Sequence, residues 1–222
     1  MDKVSALSCV TGLVLAGGRG MRMGGLDKGL QNFGTMDLAE HALARLQAQK
    51  GGPLGGLLLN ANRNQAQYAA IGAAYAATVV ADTVADFAGP LAGVLAGLAQ
   101  CRTRYLLTVP CDSPLFPADL ASRLLQRLQT QQADIAMVAA PEINEQRHAV
   151  LRPQPVFCLL SAHLRDSLYA FMQQGGRKFS AWTDAHATVL EPFNQPGDAP
   201  LAFANANTLA ELRALPTQCP IS

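Results

Sequence analysis

The chain has no charge excess of either sign, no paired-cysteine pattern and no long apolar run. Lys and Arg number 17 against 16 Asp and Glu, a net charge of +1. Such a balance gives no electrostatic footprint for DNA, RNA or an anionic membrane surface, and it favours a small-molecule role. The five cysteines, at positions 9, 101, 111, 158 and 219, are odd in number and no two form C-x-x-C. That argues against a disulfide framework and a zinc ribbon, and it leads us to expect reduced thiols in a cytoplasmic protein. No stretch approaches the roughly 20 consecutive apolar residues of a membrane span. The run after Lys3 is broken by Gly12 and Gly17, unlike a signal peptide. Internal repeats, low-complexity blocks and linkers are also missing.

What is present is 222 residues, 50% hydrophobic and rich in Ala and Leu. That length suits a single domain spanning 1–222 with its own core. Short apolar runs read as buried strands: Val10 to Ala16, Gly56 to Leu59, Thr78 to Ala81, Tyr105 to Val109, Ile135 to Ala139, Val156 to Leu160 and Thr188 to Leu190. Helices are expected after Asp37, a plausible cap, and over Asn64 to Ala74, Pro90 to Gln100, Pro117 to Gln131, Ser161 to Gln173 and Thr208 to Ala214. Trp182 is expected to follow a turn holding Gly175, Gly176, Arg177 and Lys178. Strands alternating with helices predict an α/β fold: a Rossmann-like, doubly wound, mostly parallel sheet with helices on both faces.

In such sheets ligands bind beyond the carboxyl ends of the strands. The segments following the first strands are therefore the places to look. They read AGGRGMRMGGLDKG from Ala16, NANR from Asn60, ADTVADFAGPLAG from Ala81 and PCDSP from Pro110. Glycines 17, 18 and 20 let the backbone turn sharply and bring its amides to phosphate oxygens. Arg19, Arg22 and Lys28 add positive charge for a polyphosphate. A merely flexible surface loop would have little use for three cations directly after a buried strand. The stretch is neither a dinucleotide fingerprint, since Met23 stands where the third glycine belongs, nor a Walker loop, since Gly29 follows Lys28.

Asp112, just past a strand, has two readings. It is a ligand for Mg²⁺, which favours carboxylate oxygens and keeps company with phosphates, or it caps the helix beginning near Pro117. Asp82 has the same two readings, with a hydrogen bond to nucleotide ahead of a metal. The histidines at 41, 148, 163 and 186 are scattered, and His41 sits inside a helix as a structural residue. Cys111, beside Asp112, is a poor nucleophile candidate because phosphate chemistry here needs no thiol.

Five blocks carry a resemblance: Leu15 to Leu30, NANR, Asp82 to Gly93, PCDSP, and FANANTLAEL from Phe203. Together they resemble the molybdenum cofactor guanylyltransferases, in family order over nearly the whole chain. The resemblance implies GMP transfer from GTP to the phosphate of molybdopterin, with Mg²⁺ as cofactor and pyrophosphate as co-product. It implies nucleotide contacts from Leu15, Ala16, Gly17, Gly18, Lys28, Asn60, Asp82 and Asp112, with Asp112 also on the metal. Lys28, Arg22 and Asp112 would carry the catalysis. Asn205, Asn207, Arg177 and Lys178 would face the pterin, and Asn207 would also come near the metal. The part up to about residue 115 would bind nucleotide, and 116–222 would form the pterin side. The stretch Gly34-Thr35-Met36-Asp37-Leu38 departs from the family's G-K-P-L pattern, losing a lysine and a proline.

The attacking phosphate monoester is already anionic near neutrality, its second pKa being about 6. No general base is then required, and positioning with charge neutralisation would suffice. Three rivals remain at this point: a cytidylyl relative, a sugar-phosphate nucleotidyltransferase, and a non-catalytic nucleotide-binding regulator or cofactor chaperone on the same fold. The paired Gly17-Gly18 resembles the guanylyl enzymes. A monomer is expected, with other cofactor-synthesis proteins and molybdoenzyme chaperones as further partners. Nucleic acid and membranes are not expected to be partners.

Overall fold

The structure is a computed structural model that describes residues 6–17, 26–84, 89–143 and 146–216. In chain order it comprises β1 (Val10–Leu15), a small hairpin of β2 (Asn32–Phe33) and β3 (Met36–Asp37), α1 (Leu38–Gln47), β4 (Gly56–Asn60), α2 (Gln65–Ala74), β5 (Ala77–Val80) and α3 (Pro90–Gln100). There follow β6 (Tyr105–Pro110), α4 (Leu120–Thr130), β7 (Ile135–Ile143), β8 (Ala149–Ser161), α5 (Arg165–Gln173), α6 (Phe179–Thr183), β9 (Thr188–Pro192) and α7 (Leu209–Ala214).

Seven strands form one sheet in the order β5-β4-β1-β6-β8-β7-β9. The β4–β5, β1–β4, β1–β6 and β7–β9 pairs are parallel, and β8 runs antiparallel to both its neighbours. The expected mostly parallel, doubly wound sheet is therefore observed, with one reversed strand. Apolar residues alternate between the two faces, as the two-residue period of a strand requires. Val14, Leu59, Leu107 and Leu159 pack with Leu43 and Leu46 of α1 and Leu120 and Leu124 of α4. Leu13, Leu58, Leu106 and Leu160 pack with Leu91 and Leu95 of α3, Leu168 and Met172 of α5, and Trp182 of α6. Burial on both faces is why these strands read as unbroken apolar runs.

Several expectations need correction. The strands expected to end at Ala139 and begin at Val156 instead form a long hairpin, paired out to Ile143 and Ala149. Its outer part leaves the helical layers behind, and Ile143 and Leu151 are exposed. Without a core to cover, that part carries no apolar period, and Pro141, Pro153 and Pro155 read as loop. Asp37 occupies the N-cap of α1 but makes no side-chain capping bond. Asp37 belongs instead to the hairpin, whose turn uses Gly34 at φ +66°. The helix placed from Ser161 begins as a 3₁₀ turn and becomes α-helical only at Arg165. Trp182 lies within the short helix α6, not merely after a turn. Among the described residues, Cys9, Cys101, Cys111 and Cys158 are free thiols, as expected. Among those residues, too, no helix is long and apolar enough to cross a membrane.

Candidate nucleotide site at the carboxyl edge of the sheet

The carboxyl ends of β1, β4, β5 and β6 bring three aspartates to one edge. In the segment that follows β1, Lys28 opens a 3₁₀ turn running to Leu30. Its Nζ donates to Asp112 Oδ2 at 3.0 Å and to Asn207 Oδ1 at 3.2 Å. Both charged side chains are partly solvated, at 16% and 21% exposure. The three residues come from positions far apart in the chain, so only the fold assembles them.

The Asp112 loop is held from two directions. Arg45 of α1 donates through Nε to the Phe116 carbonyl at 2.7 Å, and its guanidinium lies over the Phe116 ring. Gln49 donates to the Pro117 carbonyl and accepts from the Ala121 amide. On the other side Ala206 N donates to the Asp112 carbonyl at 2.8 Å, and buried Ser113 donates to Asn205 Oδ1. Asn207 is presented by a capping arrangement. Thr208 Oγ1 accepts from Glu211 N, while Glu211 accepts from Asn207 N. Asp112 is thus no helix cap: α4 begins after Asp119, and among the described residues the Asp112 carboxylate has its hydrogen bond from Lys28.

Asp82 is gripped by amides. Asn60 Nδ2 donates to its Oδ1 at 2.9 Å and Asn62 Nδ2 to its Oδ2 at 2.7 Å, while Asn62 Oδ1 accepts from Asp82 N at 2.8 Å. Gly17 lies against this pair, and a Cβ there would stand 2.6 Å from Asn62 Nδ2 and 2.9 Å from Asn60 Oδ1. The Leu15 carbonyl and the Ala16 amide bond to the neighbouring strands, through Cys111 N and Asn60 O. Gly17 is the first residue beyond that ladder. Gly18, Arg19, Gly20 and Arg22 lie outside the described residues.

Arg177 and Lys178 come from another layer. They occupy the exposed turn between α5 and α6, on the face of the sheet that α3 covers, whereas Lys28, Asp112 and Asn207 come from the segments after β1 and β6 and the one before α7. Cys111 is buried, and burial together with the Asp112 charge pushes its thiol far above the ordinary range, so it stays protonated and inert. His41 is buried against Phe33 with its Nδ1 unbonded, and desolvation first, then Arg45, lowers its pKa to about 4. It is a neutral structural histidine, as expected. Asn62, Ser113 and Glu211 were not singled out from sequence. Asn62 and Ser113 fall inside the NANR and PCDSP loops, but which side chains face inward there depends on the turn, not on the spacing.

The profile of the family described as the MobA-like NTP transferase domain matches residues 12–189. The molybdenum cofactor guanylyltransferase of Albidiferax ferrireducens is 58% identical over 206 residues, covering 93% of this chain and 95% of that protein. The chain belongs to the molybdenum cofactor guanylyltransferase family. It is a nucleotidyltransferase, as the sequence led us to expect. A further relative of the same name, from Bordetella pertussis, is 50% identical over 206 residues, covering 93% of this chain and 96% of that one. Among solved structures, molybdopterin-guanine dinucleotide biosynthesis protein A from Archaeoglobus fulgidus superposes with a TM-score of 0.70 at 19% identity, covering 92% of this chain and 95% of that one. The 4-diphosphocytidyl-2C-methyl-D-erythritol synthase of Anaerococcus prevotii does so with a TM-score of 0.69 at 11% identity, covering 92% and 93%. The fold is therefore shared with a protein whose name carries a different base, and fold alone does not choose the nucleotide.

Proposed function

We propose that this protein transfers GMP from GTP to the phosphate of molybdopterin and releases pyrophosphate. A phosphate oxygen of molybdopterin forms a bond to the α-phosphorus of GTP as the α–β anhydride bond breaks. The reading rests on family membership for the reaction. For the site it rests on one observation above all: the Lys28 ammonium held between Asp112 and Asn207 at the strand ends.

Asn60 and Asp82 hold the guanine nucleotide, with backbone contacts from Leu15, Ala16, Gly17 and Gly18. Lys28 and Arg22 neutralise the triphosphate, and Lys28, already held at the strand ends, costs little reorganisation during reaction. Asn205, Asn207, Arg177 and Lys178 are assigned to the pterin side. The segment up to about 115 takes the nucleotide, and the remainder takes the second substrate. Nucleotidyltransferases of this type use a divalent metal, and we assign Mg²⁺ to Asp112. The donor set fits, because Mg²⁺ is commonly held by one or two carboxylates with phosphates and waters completing its shell. When bound, the ion supplies charge neutralisation on phosphate oxygens. The acceptor is anionic near neutrality, so none of these residues is asked to remove a proton.

The test is turnover with molybdopterin and Mg²⁺, using GTP and CTP in parallel and scoring pterin dinucleotide and pyrophosphate. Product from GTP alone is expected. Product from CTP would overturn the base assignment, and GTP binding without product would favour a binding-only role or another acceptor.

A further inference from the structure

Asp27 precedes Lys28, yet the reaction above gives it no task. Its carboxylate is fully engaged by the protein. Oδ1 accepts from the Tyr68 hydroxyl at 2.5 Å and from Gly29 N at 3.2 Å, and Oδ2 accepts from Asn64 Nδ2 at 2.9 Å. The Asp27 carbonyl accepts from Gln31 Nε2 at 2.8 Å, closing the 3₁₀ turn from the other end. Tyr68, on α2, is completely buried. Burial first, then the bond to Asp27, pushes its phenol far above the ordinary range, so the hydroxyl remains a donor. The turn sits directly on this phenol. A Cβ on Gly29 would run into the Tyr68 hydroxyl and come within 3.0 Å of Ala16 Cβ. Asp27 is thus a saturated anchor, while Lys28 leaves the same turn toward Asp112 and Asn207.

We propose that Tyr68 is a positioning residue for Lys28: the buried phenol, supported by Asn64, locks Asp27 and thereby fixes the turn from which the Lys28 ammonium reaches the phosphate site. Tyr68 lies in the first turn of α2, the helix entered from the loop after Asn60. The same β4–α2 unit therefore aligns the Asp82 grip and the Lys28 turn. The inference rests on the reading that Lys28 neutralises the triphosphate.

The test is a double-mutant cycle on the full-length protein. Tyr68→Phe and Asn64→Ala are each made in the native background and in Lys28→Ala. GTP affinity is measured by calorimetry and turnover by dinucleotide formation, so that a Lys28→Ala protein without turnover still reports through binding. If Tyr68 acts through Lys28, Tyr68→Phe lowers GTP affinity or kcat/KM about tenfold in the native background and less than about twofold in Lys28→Ala, because coupled residues are non-additive. Asn64→Ala, on the surface side of the anchor, loses about threefold with the same pattern. It carries the cycle should Tyr68→Phe fold poorly. Equal losses in both backgrounds, or no loss in the native one, overturn the proposal and leave the Lys28 reading standing. A Lys28→Ala protein with native affinity and turnover overturns the Lys28 reading itself, and the proposal with it.

Discussion

Two clusters of paired charge in this molecule follow opposite rules. At the carboxyl edge, Lys28 meets Asp112 and Asn207, with both charged side chains partly in water. On the flank of the sheet, Arg123 is tied to several neighbours at once. It bonds Glu191 at 3.1 Å, Asp198 at 2.7 Å and the Pro192 carbonyl at 2.6 Å, and its guanidinium lies 3.7 Å from the Phe193 ring centroid. The flank cluster ties α4 to β9 and the segment after it, through two carboxylates, a carbonyl and a ring. The edge cluster is held by few bonds, so a polyanion and a metal can compete for its members. A charge braced between two elements supports the fold, and one held at the strand ends by side chains that a ligand can displace is available for chemistry.

The sharpest way to break this contrast is Asp112→Asn. It keeps the shape and removes the charge, and turnover should fall by about 100-fold or more. The melting temperature should move by no more than about 2 °C, since a part-exposed pair contributes little to stability. Near-native rates would remove Asp112 from the metal. Lys28→Ala should cost about 10- to 100-fold in kcat/KM for GTP, again with little change in melting.

His41 sharpens the contrast from the interior, where burial beside Arg45 keeps its imidazole uncharged. Its pKa is lowered from 6.5 to about 4, so above pH 6.5 both folded and unfolded chains hold it neutral. Below pH 6.5 the unfolded chain takes up the proton first. Stability should decline by about 3 kcal/mol as pH falls to 4. Denaturant titrations of the native protein and of His41→Leu should show this slope in the former and a flatter profile in the latter. The smallest effect on activity belongs to the flank cluster. Arg123→Ala should lower unfolding stability by about 2 kcal/mol while kcat/KM stays within about twofold. A large activity loss there would blur the two regions into one.

The loops of the site were legible because they follow buried strands, and burial on both faces leaves an unmistakable apolar run. Asp112 could be named as a carboxylate just past such a run, and Lys28 as one of three cations in the glycine-rich segment that follows another. Asn62, Tyr68 and Asp27 were not assigned roles, because their tasks consist of contacts with each other and with Asp82. The outer half of the β7–β8 hairpin was illegible for a different reason. It covers no core, so nothing selects an alternating pattern, and the prolines there mimic a loop.

By itself the sequence determined the layering of helices on a mostly parallel sheet, the edge of that sheet at which to look for a site, and the residue types available there. Periodicity encodes burial, and glycines and charged residues in the segments after strands encode access. Tertiary structure decided the reversed direction of β8, the meeting of Lys28 with Asp112 and Asn207, and the burial of Tyr68 beneath the lysine turn. Those depend on which distant segments become neighbours, and no local pattern in the chain carries that information.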